Sequence, residues 1–530
     1  MPRYVPLWPI FILGLLQIRS VTSSNPTLSC SPSTFPYPEI DGLTIKHISA
    51  VVVENLTFNG TASGDIPAVN ITNLAFCNTT VTYTHIGQND SISVQTWLPL
   101  RKWNGRFQGA GGGGFATGNP DTSHPVPVHQ GFAVASTDGS HYGTNPDAWA
   151  LNSTGQVDFQ LLEDFAYLSL HELAVIGKLI TTTFYGKAPC HSYWNGCSTG
   201  GRQGLMLAQR YPMDFDGIVA LAPAINWPTF IVAEYYPQFI MNQLGIYPPD
   251  CEFDAITAAA IVACDGLDGV LDGAISAPGL CTFDPHVLVN TSIPCPAKGT
   301  NQTITTAAAT IALEAWRGPF SSNGTREWFG LSPDAPLTAL SGTNCTTTSN
   351  TSSTCALGQP FPIAQQWISL FLLENPSANL TTLTRDQYTS LFQLARDKFQ
   401  SIIGTAKPDL SAFKAAGGKL LTWHGLADPL IFPNGTNTYY SNVLKKDKRA
   451  QDFYRYFVAP GTGHCAPGPG AYPQGALESV IRWVERGVAP DTLTAVGSDG
   501  LRSLFPWPLV EKNIGGTVGQ DAFFVEAENY

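Results

Sequence analysis

Ser198 lies in Gly196-Cys197-Ser198-Thr199-Gly200, and the runs on either side of it follow different periods. Before it, His191 to Asn195 reads as a short strand. After it, Leu205, Met206 and Leu207 fall in a helical run. A strand that turns into a helix through G-x-S-x-G is the nucleophile-elbow pattern. The turn is so tight that only small residues fit at Gly196 and Gly200. It lifts the serine hydroxyl above the sheet and points the N–H groups of the helix start at a developing oxyanion. A Gly-rich chain can also carry this pentapeptide as a plain structural turn; the strand–turn–helix setting favours the nucleophile.

The rest of the chain sets the elbow in a mostly parallel sheet. Residues 25–100 are β-rich, with strand-like Val51-Val52-Val53, Val81-Thr82-Tyr83-Thr84 and Ile92 to Leu98. A glycine cluster, 109–114, breaks the chain before a buried strand at 131–136. Phe165, Ala166, Leu173, Ile176 and Ile180 lie on one face of a helix predicted over 163–185, with Ser169 filling a gap in the stripe. Gly217 to Leu221 reads as another buried strand. The alternation resumes at Lys419 to Trp423, continues at Phe453 to Val458 and closes with a helix over Ala476 to Arg486. Strands alternating with helices imply a parallel sheet covered on both faces. Between the two halves, residues 226–405 change character. They hold Cys251, Cys264, Cys281, Cys295, Cys345 and Cys355 and a Ser/Thr/Asn stretch over 341–355, and read as a disulfide-stitched insertion. The expected organisation is a leader over 1–23, a catalytic domain in two parts, 24–225 and 406–530, and an inserted lid over 226–405.

A nucleophilic serine needs a base and a carboxylate, and this sheet type supplies them in the order Ser, Asp/Glu, His. His464 follows a strand in the Gly-rich loop Pro460-Gly461-Thr462-Gly463-His464-Cys465. Asp428 follows a strand in His424-Gly425-Leu426-Ala427-Asp428-Pro429, where it could instead be a turn residue before Pro. His424 precedes Asp428, so chain order disfavours it as the base. Cys197 directly precedes the serine and Cys465 directly follows His464. A bond between them would hold both loops together.

Composition narrows the setting. A net charge of −12 and the lack of any long basic run exclude a phosphate backbone as partner. Arg3 followed by the apolar stretch Val5 to Ile18 reads as a secretory leader cleaved after Val21-Thr22-Ser23. About 14 apolar residues are too few to span a bilayer, so no membrane partner is expected. Thirteen Asn-x-Ser/Thr sequons, at Asn55, Asn59, Asn70, Asn78, Asn89, Asn152, Asn290, Asn301, Asn323, Asn344, Asn350, Asn379 and Asn434, fit export and N-linked glycan. So does a charged fraction of only 13%. Eleven cysteines should mostly pair in an oxidising compartment, and the odd count leaves at least one free or paired between chains.

The stretch 196–204 (GCSTGGRQG), His424-Gly425-x-x-Asp428 and His464-Cys465 together resemble the tannase/feruloyl esterase family. So do Trp103-Asn104-Gly105-Arg106-Phe107, Asp164-Phe165-Ala166-Tyr167, 214–220 (DFDGIVA) and Trp483-Val484-Glu485-Arg486-Gly487. The resemblance covers nearly the whole chain after the leader. It implies an α/β-hydrolase fold with a lid, a Ser198–Asp428–His464 triad and a Cys197–Cys465 bond. It also implies an oxyanion hole from the backbone N–H groups of Thr199 and Gly113, with the choice among glycines 111–114 open. Calcium is implied in the lid, held by Asp265, Asp268 and Asp272 with the carbonyls of Val270 and Ala274; carboxylates and carbonyls at this density suit a hard cation. A solvated acidic turn is the alternative. Cys264–Cys281 and Cys30–Cys77 resemble family bridges, whereas Cys251–Cys295 and Cys345–Cys355 are guesses. Family members carry a further Cys near the segment that is Phe505-Pro506-Trp507-Pro508 here, and this chain has none. Cys190 is the candidate free thiol.

The residues point to a secreted serine ester hydrolase, and the resemblance implies aromatic esters as its substrates: hydroxycinnamates of plant cell-wall polysaccharide, with galloyl esters of tannins as the runner-up. An inactive hydrolase scaffold serving as a binding protein is the alternative from another class. Such scaffolds usually lack a triad member.

Overall fold

The computed structural model describes residues 29–295, 300–345, 355–497, 500–513 and 522–526. The expected leader, 1–23, and Asn350 lie outside the described residues. One sheet contains β1 (Leu43–Gly60), β2 (Val69–His85), β3 (Ile92–Pro99), β4 (Arg106–Ala110), β5 (Ala133–Thr137), β6 (His191–Cys197), β7 (Gly217–Leu221), β8 (Lys419–Gly425) and β9 (Tyr454–Ala459). Their spatial order is β1-β2-β3-β5-β4-β6-β7-β8-β9. The pairs β1–β2, β2–β3 and β3–β5 are antiparallel. From β5 through β4, β6, β7 and β8 to β9 every ladder is parallel.

Helices cover both faces of the parallel part, which explains its short apolar strands. On one face, Leu170, Leu173, Ile176 and Ile180 of α1 (Ser169–Tyr185) pack with Phe107, Ala133 and Ala135. The helix after Ser198, α2 (Thr199–Arg210), adds Leu205, Leu207 and Ala208 to that cluster. On the opposite face, Leu477, Val480 and Ile481 pack against Val219, Leu421 and Trp423.

The antiparallel part differs from the sequence expectation in length. β1 and β2 form one long twisted ribbon with register shifts, where the sequence suggested only short strands. One side of β1 faces water, so Lys46, Glu54 and Asn55 interrupt the apolar run without ending the strand. β4 was not anticipated. It is five residues, RFQGA, with no alternation to mark it, yet Phe107 to Ala110 are buried between β5 and β6.

The helix predicted over 163–185 is broken into three parts. Phe159–Glu163 and α1 are α-helical, and Asp164–Leu168 between them is a π-turn. Wide turns of this kind release carbonyls from the helix ladder. Arg202 of α2, fully buried, donates to Ala166 O at 2.9 Å and Phe165 O at 3.2 Å. Ser169 Oγ donates to Asp164 O at 2.7 Å, so the small residue in the stripe closes the turn. The π-turn is therefore tied to the helix that begins at Ser198.

After β7 the chain leaves the sheet, and it returns at β8. The intervening segment opens with α3 (Trp227–Glu234) and ends with α4 (Arg385–Ile403). Asn226 N donates to Gly404 O at 2.7 Å, so the two ends of the excursion meet. Its apolar core is continuous with the site side of the sheet. Trp227, Trp367, Phe371 and Phe399 share one cluster with Phe115, Trp149 and Phe165. Disulfides join Cys251 to Cys295, Cys264 to Cys281 and Cys345 to Cys355 within it, while Cys30 pairs with Cys77 outside. Cys190 is free and exposed. No helix among the described residues is long and apolar enough to cross a membrane.

Candidate active site

Ser198 is the only residue between β6 and α2. Its backbone sits at φ 64°, ψ −123°, a region that L-residues rarely occupy. The turn has no room to spare. A Cβ on Gly196 would lie 2.5 Å from the carbonyl carbon of Gly200. A Cβ on Gly111 would lie 2.5 Å from the Cα of Gly200, so the glycine cluster presses directly on the elbow.

The donors around the serine can be accounted for one by one. Gly111 N donates to Asn195 O at 3.2 Å, and Gly112 N to the buried Gln203 Oε1 at 3.0 Å. Gly200 N donates to Gly112 O, and Ser198 N to Leu221 O, each at 3.0 Å. The N–H groups of Gly113 and Thr199 have no acceptor among the described residues and border the cavity that holds Ser198. Of the glycine cluster, 111 and 112 are thus already engaged. Gln203, whose Nε2 also donates to Thr117 O, ties the cluster to α2; its sequence signal was only its place in the motif.

The loops after β8 and β9 bring Asp428 and His464 together. His464 Nδ1 lies 2.7 Å from Asp428 Oδ2, and the carboxylate is fully buried. Oδ1 of Asp428 accepts from Leu430 N and Ile431 N, both at 2.9 Å. Burial would raise this carboxyl, but the charge on His464 and the hydrogen bonds of His424 and His464 outweigh it and hold the group well below the usual carboxylate range. His424 is buried behind it. Its Nε2 is shared between Ile431 O at 3.0 Å and Asp428 Oδ2 at 3.2 Å, and Thr436 Oγ1 is 2.9 Å from Nδ1. His424 does not border the cavity, so it supports the carboxylate from behind.

A disulfide joins Cys197 to Cys465, with Cα atoms 6.1 Å apart, so the residues flanking Ser198 and His464 are covalently linked. Gly64 N donates to Cys465 O at 2.8 Å, and Tyr472 Oη donates to Gly64 O at 2.7 Å; these bonds close the β1–β2 loop over the same point. Ser198, Thr199, Gly113 and His464 line one cavity of about 760 Å³. No hydrogen bond joins Ser198 Oγ to His464 among the described residues, an opening common in ligand-free triads. The excursion gives the cavity mostly apolar lining, Trp227, Phe230, Ile231, Phe361 and Ile363, with one carboxyl, Glu234; Leu430 and Ile431 line it as well.

The acidic loop lies elsewhere. Asp265 and Asp268 are buried. Asp265 accepts from Asp272 N at 3.1 Å and Gly273 N at 3.0 Å, and Asp272 pairs with Arg502. Burial, then the charges of Asp272 and Asp265, raise the Asp268 carboxyl. Asp334, nearby, is raised by burial and by Asp265. Carboxylates and carbonyls are the ligand types a hard cation takes, but here backbone N–H groups and Arg502 already engage these acids, and no three of the loop's carboxylates bring an oxygen each to within 4.8 Å of one another. The Val270 and Ala274 backbones follow the turn. A Cβ on Gly461 would lie 2.6 Å from Ala274 Cβ, so this loop packs against the segment that carries His464. The sequence had offered no link between the two.

A parallel sheet with a strained serine at one strand end and a histidine–carboxylate pair on the later loops defines the class, a carboxylic ester hydrolase of the α/β-hydrolase type. A family model described as "Tannase and feruloyl esterase" matches residues 77–522, and the chain belongs to that family. A "Probable feruloyl esterase" of Arthroderma benhamiae is 38% identical over 527 residues, covering 95% of this chain and 96% of that one. A "Tannase" of Aspergillus oryzae is 28% identical over 524 residues, covering 88% and 87%. Among solved structures, the tannin acyl hydrolase of Aspergillus niger has a TM-score of 0.83 at 29% identity, covering 94% of this chain and 95% of that one. Feruloyl esterase B of Aspergillus oryzae has 0.75 at 26%, covering 92% and 98%. Arg106, in one family stretch, donates to Glu485, in another, at 2.7 and 2.8 Å, bridging segments far apart in the chain.

Proposed function

We propose that the chain is a secreted serine esterase that releases aromatic acids, hydroxycinnamates first, from esters of plant cell-wall material. The observation that carries the reading is the 2.7 Å contact of the buried Asp428 with His464, which lines the same cavity as Ser198. His464 takes the Ser198 proton as the serine oxygen attacks the ester carbonyl. N–H groups of Thr199 and Gly113 hold the oxyanion. The protonated His464 gives its proton to the departing alcohol; water then releases the acid by the same steps in reverse roles. The buried Asp428 carboxylate holds the imidazole in the tautomer this requires.

The aromatic wall of Trp227, Phe230 and Phe361 supports an aromatic acyl group, and relatives named feruloyl esterase support the hydroxycinnamoyl class. Galloyl esters are the second reading, favoured by the tannase-named relative and structural neighbour. Initial rates on methyl ferulate, methyl caffeate and methyl gallate decide between them. Ferulate or caffeate should be fastest; gallate in first place would reverse the order, and slow turnover of all three would point to another acyl group.

Secretion is supported by five disulfides and by the exposure of Asn55, Asn59, Asn70, Asn89, Asn152, Asn290, Asn301, Asn323, Asn344 and Asn379. Asn78 and Asn434 are half-buried and less accessible to a glycan. Calcium held by Asp265, Asp268 and Asp272 with the carbonyls of Val270 and Ala274 is part of the same proposal; bound there, it would neutralise the carboxylates and stiffen the loop beneath Gly461.

A further inference from the structure

Helix α3 starts beside the nucleophile: Ala224 N donates to Ser198 O at 3.1 Å, and the helix follows at Trp227. Trp227, Phe230, Ile231 and Glu234 all line the catalytic cavity. Their spacing of three, four and seven residues makes them one stripe of the helix. Three members of the stripe are apolar. The fourth, about 10 Å along the axis from Trp227, is a carboxyl.

That carboxyl has no structural occupation. Glu234 is 2% exposed. Its Oε2 is fully buried without a hydrogen-bond partner, and no cation pairs with it among the described residues. It sits in the last turn of α3, where the helix dipole opposes a negative charge. Leaving a buried polar group unpaired costs about 1–3 kcal/mol, so packing alone gives no reason for an acid here. Leu or Met would fill the space at no such cost. A group that enters the cavity and hydrogen-bonds the carboxyl would remove the penalty.

We propose that Glu234 is the specificity residue that reads the ring hydroxyl of a phenolic acyl group. The inference rests on the aromatic-ester reading above and deepens it. Trp227, Phe230 and Ile231 would flank the ring, and the carboxyl at the end of the stripe would meet the hydroxyl. Burial, and then the charge of Asp428, hold this carboxyl well above the usual carboxylate range. In its neutral form it both donates and accepts, which matches a phenol and repels no phenolic oxygen. A site built to hydrogen-bond a hydroxyl discriminates strongly against the analogue that lacks it, because the buried partner is then left unpaired.

The test compares kcat/KM on methyl p-coumarate and methyl cinnamate, which differ by that hydroxyl alone, for the wild type, Glu234→Leu and Glu234→Gln. The wild type should prefer p-coumarate by at least about tenfold. In Glu234→Leu the ratio should collapse toward one, while Glu234→Gln, which can still donate and accept, should keep part of the preference. Melting temperatures confirm that each variant is folded, and Glu234→Gln carries the comparison if the leucine variant is not. A ratio unchanged in every variant that folds would overturn the assignment of Glu234 and leave the aromatic-ester reading standing. A wild type that turns over p-nitrophenyl acetate but neither aromatic ester would overturn that reading, and this assignment with it.

Discussion

Replacing Cys197 and Cys465 together by alanine should affect stability and catalysis at once. The bridge closes 268 residues, the longest loop of the five disulfides. Within it, two further bridges already shorten the free path, Cys251–Cys295 by 44 residues and Cys345–Cys355 by 10; Cys264–Cys281 is nested inside the first. Loop-closure entropy for the remaining length gives about 5 kcal/mol, and engineered cases usually return somewhat less, so a loss of ~3–5 kcal/mol is expected. The catalytic effect follows from position. The bond joins the neighbour of Ser198 to the neighbour of His464, and Cys465 itself sits at φ 52°. Without the bond, the His464 loop keeps the Gly64 and Tyr472 contacts but loses its covalent register with the elbow. A displacement of about 1 Å can cost on the order of a hundredfold in rate. Guanidinium unfolding of the Cys197→Ala/Cys465→Ala variant without reductant measures the first effect; kcat on p-nitrophenyl acetate measures the second. A loss under ~1 kcal/mol together with an unchanged kcat would refute the idea that this bond holds the two loops in register.

Two other outcomes are open to measurement. His85 lies against Asp90, 3.7 Å from Asp164 and 2.6 Å from Glu172, and the hydrogen bond with Glu172, against the cost of burial, raises its pKa to about 9. A raised histidine stabilises the fold fully below its unfolded pKa of roughly 6.5, and the contribution is lost as pH climbs through the folded value. His85→Gln should therefore melt well below the wild type at pH 6, with the gap closing by pH 10; a pH-independent gap would contradict this. Removal of calcium with a chelator should lower the melting temperature, and Asp268→Asn should lower it without further response to chelator. An unmoved melting temperature would remove the proposed ion.

The elbow was legible because its determinants are local. A steric turn, a strand before it and a helix after it all fall within about 20 residues, and each leaves a mark on the sequence. Asp428 and His464 were legible through chain order and through the cysteines beside the serine and the histidine. β4 was not legible: its burial comes from β5 and β6 on either side and not from its own composition. The π-turn at Asp164–Leu168 depends on Arg202 reaching it from α2, so no helical periodicity could announce it. His424 stood in the motif but was weighed only as a base; its support of Asp428 depends on where Ile431 and Thr436 fold. Glu234 carried no mark in the sequence, and only the cavity singles it out.

The central claim is that Ser198 attacks the ester. Ser198→Ala should keep the fold, with a melting temperature near that of the wild type, and should lower kcat on methyl ferulate by at least about 10³-fold. Ester turnover unchanged in a folded Ser198→Ala protein would contradict the account at its base.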